Sequence, residues 1–244
     1  MEELIRIENI YKIYHPGENE VRALDGVSLT IARGEFVAIV GHSGSGKSTL
    51  MNILGCLDVP TSGHYYLRGR DVSRMSDDTL SGIRNREIGF IFQGFNLIHN
   101  LDALANVELP LIYRGIDRRS RREAARRALH LVGLSGRLGH KPAEMSGGQQ
   151  QRVAVARAVA ARPPVILADE PTGNLDSRTT EEILDILKEL HRAGRTVIII
   201  THDQDIARQA HRVICIKDGR IEQEYRNERA ERNDSNEDKN RKDV

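Results

Sequence analysis

The stretch FVAIVGHSGSGKST, residues 36–49, decides the fold of this chain. It consists of five apolar residues followed by the pattern G-x-x-x-x-G-K-[ST]. An uninterrupted apolar run of this kind is typical of a strand covered on both faces, and the pattern after it is that of a phosphate-binding loop leading into a helix. The stretch therefore predicts an α/β protein that binds a nucleotide.

The predicted loop has the residue types that phosphate binding requires. Its three glycines let the backbone approach a phosphate closely, with N–H groups directed inward at a helix N-terminus. We expect Lys47 to contact the β- and γ-phosphates and the Ser48 hydroxyl to bind Mg²⁺. The predicted nucleotide contacts of the loop are Gly41, Ser43, Gly44, Ser45, Gly46, Lys47, Ser48 and Thr49.

Two adjacent carboxylates follow a second apolar run. The sequence VILADEP, residues 165–171, predicts a buried strand that ends in Asp169 and Glu170. Because α/β sheets bind ligands at the carboxyl ends of their strands, we expect Asp169 to hold Mg²⁺ through its water shell and Glu170 to take the proton of an attacking water. The pair alone fits a helix N-cap with an acidic first turn equally well. The phosphate loop favours the catalytic interpretation.

Two further polar residues also follow apolar runs. His202 comes after VIII, residues 197–200, where a neutral imidazole can contact the γ-phosphate and orient the water. Gln93, in IGFIFQGFNLI, is predicted to complete the Mg²⁺ shell or to sense the γ-phosphate. A structural histidine and a surface glutamine are the alternatives.

A second anion site is predicted at the start of another helix. In MSGGQQQR, residues 145–152, Ser146 is a natural N-cap, and the glycines after it leave bare N–H groups at the helix start. The chain has one phosphate loop but two such helix starts. We therefore predict a homodimer in which Ser146, Gly147, Gly148 and Gln149 face the γ-phosphate held by the other subunit.

The rest of the chain predicts the architecture around these motifs. Apolar and polar residues alternate over residues 5–8 and 27–31, which is typical of half-solvated antiparallel strands. Residues 77–145 are predicted to be helical, and Asp218-Gly219 predicts a hairpin. We expect one domain over 1–225, with a helical insertion at about 94–145, and a charged, disordered tail over 226–244.

Composition excludes several classes of protein. Lysine and arginine number 36 against 35 acidic residues, a formal charge of +1, which disfavours nucleic-acid binding. No apolar run approaches the roughly 18 residues that a spanning helix needs. The opening MEELIRIEN has no apolar h-region, so no secretory signal is expected. A cytoplasmic protein with two reduced cysteines is predicted.

The order of these motifs resembles that of the ATP-binding subunits of ABC transporters, over about residues 4–225. That resemblance implies a P-loop NTPase core with a mostly parallel sheet, an N-terminal antiparallel β subdomain and a helical insertion. It implies ATP and Mg²⁺ as ligands and Tyr14 as the aromatic that stacks on adenine. It also implies that the loop GNLD, residues 173–176, couples the two sites across the dimer, with Asp176 among the nucleotide-binding residues.

The resemblance also implies a membrane partner. The segments IGFIFQGFNLI, NVELPLIYRG and SGGQQQRVAVARA are similar to the branch that serves lipoprotein-release, macrolide-export and cell-division permeases. The implied protein is an ATPase attached to the inner face of the cell membrane through integral permease subunits. The alternative within the branch is a cell-division type ATPase, which drives a membrane protein without transporting a substrate.

Two segments are candidates for contact with that partner. The segment 95–111 is expected to dock the permease, with Leu97 and Leu101 as exposed members, unless these residues belong to a buried helix. Six arginines over residues 118–127 predict either a solvated helix face or a docking or lipid-facing patch.

Overall fold

The computed structural model describes residues 2–15, 17, 19–228 and 230. In chain order, the strands are β1 (Glu3–Tyr14), β2 (Val21–Ala32), β3 (Phe36–Val40), β4 (Ser62–Leu67), β5 (Arg70–Asp71), β6 (Ile88–Phe92), β7 (Val165–Asp169), β8 (Thr196–Thr201), β9 (Arg212–Lys217) and β10 (Arg220–Arg226). The helices are α1 (Lys47–Leu54), α2 (Asp77–Glu87), α3 (Ala103–Tyr113), α4 (Arg118–Leu131), α5 (Gly147–Ala160), α6 (Ser177–Arg192) and α7 (Gln204–Ala207). Two short 3₁₀ helices lie between α4 and α5.

The chain divides into two compact units. The first comprises residues 1–54, 58–74 and 198–244, and the second comprises 55–57 and 75–197. Strand β8 is shared between them. Its first two residues belong to the second unit, and the others belong to the first.

The first unit contains the predicted antiparallel sheet, with strand order β2-β1-β4-β5. Strands β1 and β2 pair with Ile5 opposite Ile31 and Ile7 opposite Leu29. These four side chains are buried, because the period-2 alternation places all of them on one face of the sheet. The predicted half-solvated strands are therefore confirmed.

The first unit also contains the strand that precedes the phosphate loop. In this second sheet the strands are adjacent in the order β10-β9-β3-β8, with β3 parallel to β9. All five residues of β3 are buried. Strands β9 and β10 form the predicted hairpin, and its turn residues Asp218 and Gly219 both have positive φ, at 49° and 74°. This is the combination that a tight type I′ turn requires.

The second unit contains β6, β7 and most of the helices. Its strands are adjacent in the order β8-β7-β6, and β6 runs parallel to β7 with Phe92 opposite Asp169. Helices α3, α4 and α5 pack against one another. The apolar stripe of α6 is buried and consists of Ile183, Leu184, Leu187 and Leu190.

Three local predictions differ from the structure. The expectation that 77–145 is helical is wrong at β6, where a strand separates α2 from α3. The apolar stripe of α6 predicts a helix over residues 180–191, but the helix begins at Ser177, because Asp176 caps its N-terminus. Strand β10 includes Arg226, the first residue of the predicted tail, most of which lies outside the described residues. None of the described helices combines the length and hydropathy needed to cross a bilayer.

Candidate functional site

The phosphate loop connects β3 to α1, as the sequence predicts. Two of its glycines lie where no side chain fits. A Cβ atom on Gly41 would lie 2.2 Å from the carbonyl oxygen of Ile216, and one on Gly46, whose φ is +104°, would lie 2.4 Å from that of Ala23. These glycines therefore let the loop pack closely on its own chain, in addition to leaving its N–H groups free to approach a phosphate.

The polar side chains of the loop fit a phosphate ligand. The Lys47 ammonium donates hydrogen bonds to the carbonyls of Gly41, at 2.6 Å, and His42, at 2.8 Å, so it lies over the loop. Ser45 is buried, and its Oγ has no hydrogen-bond partner among the described residues. Ser48 is exposed in the first turn of α1, where its hydroxyl can bind Mg²⁺.

Tyr14 lies at the end of β1 and is tied to a neighbouring ion pair. Its hydroxyl donates to Asp58 at 3.0 Å, and the Lys12 ammonium lies 5.0 Å from the ring centroid while donating to the same carboxylate at 2.7 Å. Burial and the Asp58 carboxylate raise the pKa of Tyr14, although a hydrogen bond with Thr49 opposes the increase. That bond places the ring beside the last residue of the predicted phosphate loop.

His202 follows β8, the strand next to β3 in the first unit, and it is exposed. The phosphate loop and His202 thus extend from neighbouring strands. Asp203, the next residue, caps the short helix α7.

In the second unit the carboxylates and Gln93 lie at one edge of the sheet. Asp169 is the last residue of β7, and its neighbour on β6 is Phe92, directly before Gln93. Glu170 has a φ of +43°, a left-handed conformation that is strained for a residue with a side chain. Such strain concentrates at functional positions. The alternative interpretation of the pair as a helix N-cap is wrong, since no described helix begins there.

Gln93 contacts the GNLD segment. Its Nε2 donates to Asn174 Oδ1 at 3.3 Å, and Asn174 Nδ2 donates back to the Gln93 carbonyl at 3.2 Å. A Cβ atom on Gly173 would lie 2.7 Å from Gln93 Nε2. Gln93 is thus linked to the residues that immediately follow the carboxylate pair.

The start of α5 has the predicted cap. Ser146 Oγ accepts a hydrogen bond from the backbone amide of Gln149 at 3.3 Å, and the side-chain Oε1 of Gln149 accepts one from the backbone amide of Ser146 at 3.1 Å. The two residues form a capping box, a reciprocal bond that was not predicted from the sequence. A Cβ atom on Gly148 would lie 2.4 Å from Thr179 Cγ2, so Gly148 packs directly against α6.

Asp176 is the N-cap of α6. Its carboxylate accepts hydrogen bonds from the amide of Thr179, at 3.0 Å, and from its hydroxyl, at 2.8 Å, and these bonds lower the pKa of Asp176. Asp176 therefore has a structural role within its own subunit. Through Thr179 it is also connected to Gly148 at the start of α5.

Gln151 is a candidate site residue that was not predicted from the sequence. This side chain is fully buried, and its Nε2 donates to the carbonyls of Phe92 and Pro171. Phe92 precedes Gln93, and Pro171 follows Glu170. Gln151 Oε1 has no partner among the described residues. In the sequence, a glutamine beside the small apolar residues of α5 indicates a buried side chain that needs hydrogen-bond partners. Those partners can be identified only from the fold.

A groove in the second unit adjoins the segment after Gln93. Its volume is about 650 Å³, and its lining includes Phe90, Tyr113 and Arg157. The Arg157 guanidinium donates to the carbonyls of Phe95, at 2.8 Å, and Asn96, two residues with positive φ. Burial lowers the pKa of Arg157.

The residue types available for a metal ion suit magnesium bound together with phosphate and water. No cluster of three or more His, Cys, Asp or Glu side chains suited to a metal occurs among the described residues. Magnesium in nucleotide sites is typically bound by one or two protein groups together with phosphates and water. The Ser48 hydroxyl in the first unit is a donor suited to such an ion, and so are the Gln93 amide oxygen and the Asp169 carboxylate in the second unit.

A loop of this kind, formed between a buried strand and the first turn of a helix, defines the P-loop class of nucleotide-binding proteins. Comparison with known proteins specifies the family. The sequence profile described as ABC transporter matches residues 24–173. The chain is 55% identical over 227 residues to the macrolide export ATP-binding/permease protein MacB of Hyphomonas neptunium, covering 93% of this chain and 35% of that protein.

Two further relatives match over nearly their whole length. An uncharacterized ABC transporter ATP-binding protein of Thermotoga maritima is 52% identical, covering 91% of this chain and 95% of that one. The ATP-binding cassette MJ0796 is 48% identical with a TM-score of 0.86, covering 92% of this chain and 99% of that one. It was solved as a dimer in a post-hydrolysis state bound to ADP and Pi.

The chain therefore belongs to the ABC transporter family, and it is an ATP-binding and ATP-hydrolysing cassette of that family. The resemblance stated from the motifs is confirmed, as are the P-loop NTPase fold and the use of ATP with Mg²⁺. The chain spans about a third of the length of its MacB relatives.

Proposed function

We propose that this chain is the ATPase subunit of a membrane permease complex and that it works as a homodimer with each ATP held between two copies. The observation that carries the proposal is the start of α5. In the second unit, Ser146 caps a helix whose first two residues are glycines, which is an anion site in a part of the chain that has no phosphate loop. The dimeric structures of the cassette MJ0796 support it.

Each predicted site residue has a role in this proposal. The loop amides and Lys47 hold the phosphates, while Ser48, Gln93 and, through water, Asp169 hold Mg²⁺, which when bound neutralises charge developing on the phosphates. Glu170 accepts a proton from the attacking water, and His202 orients that water. Tyr14 stacks on adenine, and the start of α5 binds the γ-phosphate of the partner's ATP.

A mixed dimer tests the composite sites. Ser146→Arg blocks the start of α5, and Lys47→Ala removes the cation of the phosphate loop, so each homodimeric variant is expected to lose ATPase activity. In a heterodimer of the two variants, one site carries both defects and the other carries neither. We expect phosphate release to recover on mixing. A heterodimer without activity would contradict the proposal. The control is the Ser146→Arg homodimer carried through the same mixing procedure, which should stay inactive.

Gln151 is expected to keep Gln93 and Glu170 in position. In Gln151→Met the carbonyls of Phe92 and Pro171 lose the Gln151 donor, although the Phe92 carbonyl still accepts from the Phe95 amide. Small displacements of reacting groups lower rates by up to about 10²-fold. We expect kcat to fall by about 10- to 100-fold with KM unchanged. The matched control is Gln150→Met, because within the described residues Gln150 Nε2 donates to the Met145 carbonyl next to its own helix start, at 3.1 Å, and to no part of the site. Equal losses in both variants would contradict this role.

The groove of the second unit is the proposed docking site of the permease. It contains exposed apolar surface at Tyr113, which is 81% exposed. Arg157 links its wall to the segment after Gln93. The structure corrects the contact residues expected within 95–111, because Leu97 is only 8% exposed and Leu101 is half-buried, whereas Ile98 is 48% exposed. Docking there would attach the chain to the inner face of the cell membrane.

An acidic substitution in the groove tests the docking site. We expect Tyr113→Asp to abolish co-purification with the permease, since a carboxylate resists burial in an apolar contact, while ATPase activity in solution persists. Tyr225→Asp, at an exposed tyrosine of β10 in the first unit, is the control. Co-purification of the Tyr113 variant at the wild-type level would place the dock elsewhere.

Export is the proposed role of the complex. The relatives named as macrolide export proteins favour an exporter over the alternative, a cell-division type ATPase that moves no substrate. Transport of a labelled substrate by the reconstituted complex, dependent on ATP, distinguishes the two. The substrate is determined by the permease.

A further inference from the structure

Helix α4 carries a concentration of positive charge that the proposed ATPase does not use. Residues 118–127 contain six arginines and one glutamate, whereas the whole chain has a net charge of +1. The helix buries Ala125, Ala128 and Leu129. Four of its arginines are exposed on one side of the helix, and we call them the arginine face: Arg118, Arg119, Arg122 and Arg126.

The arginine face has no acidic partner in the described part of the chain. The other two arginines of the helix do: Arg127 pairs with Glu123, and Arg121 lies 3.9 Å from Glu108. Arg118, Arg122 and Arg126 are spaced four residues apart, so each repels its neighbour on the helix surface and destabilises the helix. An anionic ligand would remove that repulsion.

The residue type and spacing indicate the kind of anion. The helix contains no lysine, and the planar fork of arginine donates two parallel hydrogen bonds to phosphate oxygens. Arg118 and Arg126 are separated by about 12 Å along the helix axis. A single phosphate cannot contact the whole row, whereas a surface with many phosphate groups can.

We propose that the arginine face binds the anionic phospholipid headgroups of a membrane. A nucleic acid fits less well. Without the four arginines of the arginine face, the chain has 32 basic and 35 acidic residues, so its other surfaces do not attract a polyanion that extends past the face. The proposal rests on the proposed function only for the presence of a membrane close to the chain.

Vesicle binding tests this surface in the full chain. We expect wild type to co-sediment with phosphatidylcholine vesicles that contain phosphatidylglycerol, to lose binding as salt is raised, and not to bind phosphatidylcholine alone. Each arginine near an anionic surface contributes about fivefold to partitioning, so Arg118→Gln/Arg122→Gln/Arg126→Gln is expected to weaken binding about 100-fold. The corresponding triple lysine variant, which keeps the charge, is expected to retain most of the binding.

A variant of equal charge separates this site from a general charge effect. Arg33→Gln/Arg70→Gln/Arg74→Gln removes three exposed arginines from the first unit and is expected to bind as wild type does. The proposal would be overturned if both glutamine variants lost vesicle binding equally. It would also be overturned if wild type bound vesicles with and without the anionic lipid to the same extent. Displacement of wild type from the vesicles by a duplex oligonucleotide at the same salt would assign the face to nucleic acid. If the α4 glutamine variant fails to fold by circular dichroism, the lysine variant and the wild-type salt titration decide. The vesicles hold no permease, so ATPase activity measured in parallel reports separately on the proposed function.

Discussion

Glu170→Gln is expected to slow ATP hydrolysis by about 10²- to 10⁴-fold while ATP still binds, because the amide keeps the shape of the carboxylate but cannot accept the proton of the attacking water. The turn should survive the change, since its hydrogen bond joins the Gly173 amide to the Glu170 carbonyl at 3.1 Å and involves no side chain. With hydrolysis blocked and a negative charge removed, the ATP-bound dimer should accumulate. Phosphate release and size-exclusion chromatography with Mg-ATP measure the two effects.

Glu181→Gln provides the control for this experiment. Glu181 is an exposed carboxylate in the first part of α6, so the same chemical change there should leave both the rate and the dimer unaffected. Near wild-type turnover in the Glu170 variant would remove Glu170 from its role as the base.

Gly46→Ala is expected to weaken nucleotide binding by at least about 100-fold. The added methyl group would lie 2.4 Å from the Ala23 carbonyl oxygen and 3.1 Å from Leu24 Cδ2, so the loop must move away from the position at which its amides bind phosphate. The positive φ of residue 46 adds strain of about 1–2 kcal/mol for any residue other than glycine. Titration with a fluorescent ATP analogue measures the loss.

Gly44→Ala separates the two causes. Gly44 also has a positive φ, of 77°, but a Cβ atom there would meet nothing within 4 Å. Backbone strain alone then corresponds to a loss of about tenfold. A Gly44 variant as defective as the Gly46 variant would show that strain, and not the contact with Ala23, sets the requirement for glycine.

The parts of the site that could be predicted from the sequence are those with local signals. The sequence motif of the phosphate loop, the β9–β10 hairpin and the cap of α5 each involve residues within a few positions of one another. The carboxylate pair was found because it directly follows a buried strand. For these elements the spacing of residue types determines the geometry.

The remaining parts depend on contacts between distant segments. Gln93 and Asn174 are 81 positions apart, and Gln151 reaches a carbonyl 59 positions away. The cap of α6 by Asp176 was missed because the apolar stripe of a helix marks its buried face and not its first turn. The strand β6 was missed within a helical region because a short apolar run does not distinguish a strand from a buried helix.

The phosphate loop is held by a hairpin that is synthesised long after it. The Gly219 amide donates to the Ser45 carbonyl at 3.0 Å, the Asp25 amide donates to the Gly219 carbonyl at 2.8 Å, and β3 lies between β8 and β9. During translation the phosphate loop leaves the ribosome before this hairpin does. At that stage the nascent chain lacks the backbone contacts that hold the loop. Contacts between such distant positions form slowly. The loop can therefore reach its folded geometry only after the hairpin has been synthesised.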